Sequence, residues 1–227
     1  MRRLAAGQKP LTPRLVATAL VVVSLLACWG AVGAEPWTFS INYTSRATFK
    51  TEAPLETVIG TTGGAEAVTG QVILDPARPQ DVKGTIRVDL NALKTGIDRR
   101  DAAMRSKNFL DSEGNETNRY AVFEAKGAEV AGPLEPGKST PAKVRGTLTI
   151  RGKPIETVAD CTINYVRLSP EQVEAQKRYG FTAENLRVTA RFNTSFTNHG
   201  MQIPQLLILK VSNDIQLEAD LVLVLAQ

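Results

Sequence analysis

The 227 residues carry 27 basic and 23 acidic side chains, a formal charge of +4. Four of the basic ones (Arg2, Arg3, Lys9 and Arg14) fall in the first 34 positions, which hold no acid, so the remainder balances at 23 against 23. That balance excludes the basic face of a nucleic-acid binder. Two cysteines and one histidine likewise exclude most zinc sites and any disulfide framework.

In chain order, a basic stretch to Arg14 is followed by Leu15 to Ala34, which carries no charge and ends in the small residues Gly33 and Ala34. This is the order of a secretory signal, with cleavage expected after Ala34. Two alternatives stand beside it. Ser24-Leu25-Leu26-Ala27-Cys28 fits a bacterial lipobox that would lipidate Cys28, and the apolar run is long enough to span a bilayer uncleaved. Each places residues 35–227, read as one domain, outside the cytoplasm: periplasmic or secreted, or an outer-membrane lipoprotein through Cys28.

The body alternates apolar and polar residues with period two, the mark of half-buried strands. Strands are predicted near 37–50, 68–75, 85–90, 120–130, 144–150, 155–168, 186–192 and 215–223. Asp75 to Pro79 reads as a turn, because proline donates no ladder bond. Ala131 to Pro141 reads as a Pro/Gly loop. Two segments read as helices. Asp98 to Asn108 is charged and free of Gly and Pro. Ser169-Pro170 opens a second one and Gly180 closes it; with few apolar residues it belongs on the surface, as a flap or lid. Eight antiparallel strands with one or two short helices predict an all-β, closed barrel. Sparse aromatics without girdles at the strand ends turn the apolar face inward rather than toward a bilayer.

Three features invite chemistry. Cys161, alternating with polar neighbours, is expected to be a buried and inert thiol. Asp111 to Thr117 spaces oxygen-bearing side chains as calcium loops do, but its glycine is fourth rather than sixth, so a polar turn is expected and no metal site. His199, between Asn198 and Gly200, reads as a turn residue. As a general base in a hydrolase it lacks a Gly-x-Ser-x-Gly nucleophile.

The blocks Leu93-Lys94-Thr95-Gly96 through Arg100-Asp101, Met104-Arg105-Ser106, Phe109-Leu110-Asp111, Tyr120-Ala121-Val122-Phe123-Glu124, Gly146-Thr147-Leu148-Thr149-Ile150-Arg151-Gly152 and Val211-Ser212-Asn213-Asp214-Ile215 resemble the YceI-like family over most of 37–227. The resemblance implies a lipocalin-like barrel, exported, holding an isoprenoid- or quinone-like lipid, with no catalysis and no cofactor, and with a membrane surface as transient partner. The chain departs from the family at Ala103, where many members have His. It departs again at Phe196 to Gly200, where many have Arg-x-Asp-Phe-Gly, and in its first strand pair, Glu52 to Gly64. Arg100 and Asp101 have two readings, contact with a lipid head group at the barrel mouth or a structural tie. His199 shares the rim reading. The apolar residues Ile86, Val88, Leu148, Ile150, Ile163, Phe192 and Leu217 either line a ligand cavity or fill the core of a ligand-free envelope protein. The resemblance favours the cavity.

Overall fold

The computed structural model describes residues 35–206 and 209–226. The predicted signal segment and Cys28 lie outside the described residues. The strands are β1 (Trp37–Ile41), β2 (Arg46–Ala53), β3 (Glu56–Thr62), β4 (Val68–Leu74), β5 (Lys83–Asp89), β6 (Leu93–Lys94), β7 (Tyr120–Val130), β8 (Ser139–Ile150), β9 (Lys153–Arg167), β10 (Glu184–Ser195), β11 (Gln205–Leu206), β12 (Leu209–Lys210) and β13 (Asp214–Leu225). Helix α1 (Asp98–Arg105) follows β6, and α2 (Pro170–Gln176) follows β9.

The sheet closes on itself. Its order is β1-β4-β5-β7-β8-β9-β10-β13, and β13 returns to β1, pairing Leu223 with Ile41 and Leu225 with Phe39. Along its first half β13 pairs with β2 instead, Leu217 opposite Phe49 and Ala219 opposite Ala47. β1 and β2 therefore fill one position of the ring, interrupted at Asn42–Ser45. There the Asn42 carboxamide oxygen accepts the N–H of Thr44 at 3.0 Å, and its amide reaches the Tyr179 carbonyl at 2.8 Å. β3 and β4 fill the next position in the same way, and the result is the expected eight-stranded antiparallel barrel.

Three details differ from the pattern reading. The single strand expected at 37–50 is two, because Asn42 turns the chain. β3 carries an inverted pattern: Val58 and Gly60 face inward while Ile59 is 51% exposed, so period-two reading missed it. The loop expected at 131–141 ends earlier, since β8 begins at Ser139. Pro141 is tolerated there because the β7–β8 ladder ends at the pair Val130–Ala142, leaving no partner for the missing N–H.

Outward side chains pair across neighbouring strands, including Arg191 with Glu218 at 2.7 Å and Lys143 with Asp160 at 2.7 Å. Such exposed pairs contribute little stability but reinforce register. In β7 the register slips between Ala125 and Gly127, where Gly127 takes a φ of 154°. This bulge lets Ala125 and Ala128 both face inward.

The two ends of the barrel are plugged differently. At one, Leu134 from the 131–138 loop packs with Phe39, Tyr165 and Leu186, and the Leu134 N–H reaches the Pro76 carbonyl at 2.7 Å. Beside it α2 opens with the expected Ser169 cap: the hydroxyl accepts from the Gln172 N–H at 3.3 Å, and the Gln172 side chain accepts from the Ser169 N–H at 2.9 Å. A single 3-10 turn then stops at Gly180, whose φ is 73°. α2 buries no residue, as expected. At the other end Met104 of α1, Leu110, Phe196 and Met201 pack on Leu148, Ile150 and Ile215. α1 stops at Arg105, three residues short of the expected Asn108.

Where β4 crosses β5, Gly70 lies so close to the Thr85 carbonyl that a Cβ has no room, and its φ of 141° disfavours other residues. Gly70→Ala is expected to cost about 2 kcal/mol, measured by urea denaturation. An unchanged midpoint would show that the β4–β5 approach is not tight.

Candidate functional site

The inward face encloses a cavity of about 200 Å³. It exists because the middle of the wall is built from short side chains. Ala125, Ala128, Ala142, Ala159, Ala190 and Ala219 all line it, where a plain core would hold Leu or Phe. Among the described residues, beyond the Cys161 thiol, only Thr48 and Glu218 bring polar or charged side chains to the lining. Both are engaged elsewhere, Thr48 with the Thr61 hydroxyl at 3.1 Å and Glu218 with Arg191. A cavity this apolar offers water no partners and favours an apolar guest.

Ile86, Val88, Leu148, Ile150, Ile163, Phe192 and Leu217 all lie on this wall. The alanines were not singled out from the sequence, because alanine gives little hydrophobic signal although its shortness makes the space. Phe109, Phe196 and Met201 were missed for another reason: they lie outside the strands and reach the wall only by tertiary packing. Across the lumen the rings of Phe123 and Phe192 meet, centroids 5.7 Å apart and planes tilted 37°.

Cys161 lies inside as expected, and burial pushes its thiol up to about 11. It stays protonated at neutral pH and is a poor nucleophile.

The polar residues expected at the mouth are not on the cavity wall, and the structure gives each a tie. The Asp101 carboxylate is 1% exposed and accepts from the Thr95 N–H at 2.9 Å and the Thr95 hydroxyl at 2.6 Å. Burial alone would raise its pKa. The two Thr95 bonds, with the charges of Lys94 and Arg105, outweigh that and hold it below the usual carboxylate range. Arg100 makes a forked contact with both Glu56 oxygens at 2.9 Å, joining α1 to the β2–β3 hairpin. The Asp111–Thr117 segment is a turn in which one Asp111 oxygen accepts from the side-chain amides of Asn115 and Asn118, each at 2.9 Å.

His199 is 1% exposed. Its Nδ1 lies 3.2 Å from the Lys153 carbonyl and its Nε2 2.8 Å from the Thr194 hydroxyl. The carbonyl can only accept, so Nδ1 carries the proton and Nε2 accepts from Thr194. The ring thereby joins the turn after β10 to the start of β9. Neither it nor Thr194, whose hydroxyl is buried with it, lines the cavity. Burial pushes its pKa below the ordinary value despite contacts with the Lys153 and Ile150 backbones.

The sequence profile of the family described as YceI-like domain matches residues 39–223. No curated protein matches the chain. Among solved structures, BcnA of Burkholderia cenocepacia is similar at a TM-score of 0.57 and 16% identity, over 79% of this chain and 96% of that one. A domain from Saccharophagus degradans, described as polyisoprenoid binding and implicated in plant cell wall breakdown, is similar at 0.57 and 16%, over 84% and 99%. The YCEI protein of Campylobacter jejuni follows at 0.56 and 16%, over 76% and 86%. At these identities the likeness is one of fold.

The His199 environment has a pH signature. Unfolded, the ring takes up a proton near pH 6.5; folded, it does so only at lower pH. Its contribution is therefore complete above about pH 6.5 and lost as pH falls through the folded value. Thermal unfolding between pH 7.5 and 5 should show a falling midpoint, and His199→Gln should flatten that fall while lowering the midpoint at pH 7.5. A wild-type midpoint unchanged across this range would refute the neutral, buried assignment.

Proposed function

The chain belongs to the YceI-like family, and from that premise we propose that it binds an apolar isoprenoid- or quinone-like chain in the barrel cavity and carries it without chemical change. One observation carries the proposal: a closed barrel keeps about 200 Å³ of its interior unfilled behind an almost wholly apolar wall. At about 24 cal/mol per Å³ of empty core, that space costs the free protein on the order of 5 kcal/mol. The cost is comparable with the whole stability of many domains. A guest that fills the space recovers much of it, at about 0.8 kcal/mol for each buried methylene. This also argues against the ligand-free, filled-core alternative.

Binding rather than turnover is supported by the chemistry of the wall. Among the described residues the one carboxylate on the wall, Glu218, is taken up by Arg191, and the one thiol is held protonated. The S. degradans domain supports an isoprenoid as the class of guest. The charge-free segment ahead of the barrel is read as an export signal, and a membrane surface as the place where the guest is exchanged. Cell fractionation tests this: the protein should appear outside the cytoplasm, and membrane attachment abolished by Cys28→Ser would assign the lipoprotein route. A cytoplasmic location would refute export.

Native mass spectrometry of the purified protein, followed by solvent extraction, should find one isoprenoid or quinone species per chain. Ala190→Leu, which fills the wall from β10, should weaken farnesol binding by at least about tenfold, the worth of roughly two methylenes displaced, without lowering the thermal midpoint. A protein free of apolar ligand whose mass does not respond to added farnesol would overturn the proposal.

A further inference from the structure

Phe123 on β7 and Phe192 on β10 are not neighbours in the sheet. β8 and β9 lie between their strands, so a centroid separation of 5.7 Å is reached only by both side chains crossing the lumen. Their position along the barrel is equally specific. Each ring packs against the cluster around Phe39, Leu134 and Tyr165, and each packs against the cluster around Phe196 and Met201. The pair therefore stands where the two halves of the interior meet.

The two rings are held unequally. Phe123 lies against the backbone of Gly146 on β8, where an added Cβ would fall 2.6 Å from its Cζ. A glycine facing inward at that point gives the ring its seat. Phe192 has no such seat among the described glycines. The side chains beside it are short: Ala190 on its own strand, Ala159 on β9 and Ala219 on β13. Of the two, Phe192 has the room to swing.

We propose that Phe123 and Phe192 form a barrier across the lumen that sets the length of apolar chain the barrel accepts. The inference rests on the lipid-binding reading and specifies it. A dry cavity of about 150 Å³ admits a benzene-sized guest, and ligand pockets commonly exceed about 300 Å³. The cavity of about 200 Å³ is lined from both halves and by proportion to the benzene case holds about eight carbons, so a guest confined to one side of the pair has room for fewer. A longer chain has to displace the Phe192 ring or leave its remainder outside the barrel.

The test is a binding series with geraniol, farnesol and geranylgeraniol, prenyl alcohols of ten, fifteen and twenty carbons, by displacement of a fluorescent apolar probe from the full-length protein. Wild type should gain little affinity beyond geraniol. Phe192→Ala should raise the geranylgeraniol-to-geraniol affinity ratio by at least about tenfold, since two further methylenes buried already give that much. Phe192→Leu, which preserves most of the packing, should raise it less but in the same direction, and keeps the test valid if the alanine variant fails to fold. Affinity that climbs steeply with length in wild type, or a ratio unmoved in the folded variants, would overturn the barrier and leave lipid binding intact. Binding of none of the three alcohols by folded wild type and folded variants would overturn both.

Discussion

Everything in this molecule depends on the closure of one antiparallel sheet through β13. That strand pairs with β10 from end to end on one side. On the other it is shared by β2 and β1. Closure removes the sheet's exposed edges along the shared ladder and obliges alternate residues of every strand to face a single lumen. The volume and character of the interior then follow from side-chain size at those inward positions. Large residues are concentrated toward the two plugged ends, and between them alanines leave the empty space beside the Phe123–Phe192 pair.

The polar residues that attract notice in the sequence are used to hold the plugs. Asp101 and Thr95 close the turn before α1, Arg100 and Glu56 fasten α1 to the β2–β3 hairpin, and His199 clamps the turn after β10 to the β8–β9 hairpin. Two of the sequence blocks that carry the family resemblance, Thr95-Gly96 and Arg100-Asp101, are thus contact partners. Their short separation in the chain and their chemistry are explained by one buried carboxylate that needs donors. A plug held by buried hydrogen bonds keeps Asp101, Arg100 and His199 off an almost wholly apolar wall, which is the condition an apolar guest requires.

Much of the barrel was legible as alternation. β5, β8, β10 and β13 put Leu, Ile, Val and Phe on one face and Arg, Thr and Asp on the other. Ser169, Pro170 and Gly180 marked a helix by capping chemistry alone. β3 was not legible, because Ile59 points outward and Gly60 inward, reversing the signal. The seven apolar residues singled out do lie on the cavity wall, yet whether they surround a space depended on alanines that no periodicity distinguishes. The meeting of Phe123 with Phe192 was hidden as well, since it joins strands three apart through the middle of the barrel. For Arg100 and Asp101 the sequence left rim contact and structural tie both open, and for His199 rim and turn, because polar residues near a loop carry no mark of which way they turn.

The bulge at Gly127 bears on which length changes this chain can absorb. With one residue more than its partner, β7 resets its in-and-out order halfway along. That residue can be lost without turning the wall, since Ala128 and Val130 stay inward and Glu129 outward once the ladder is regular. At any other inner strand position a deletion turns every residue beyond it to the opposite face, whereas the connections at 106–119 and 131–138 can change length without altering which residues face inward. Outside the bulge, sequence divergence by insertion and deletion is therefore channelled to the two ends of the barrel. The wall can change only by substitution, one side chain at a time, and with it the shape of whatever it encloses.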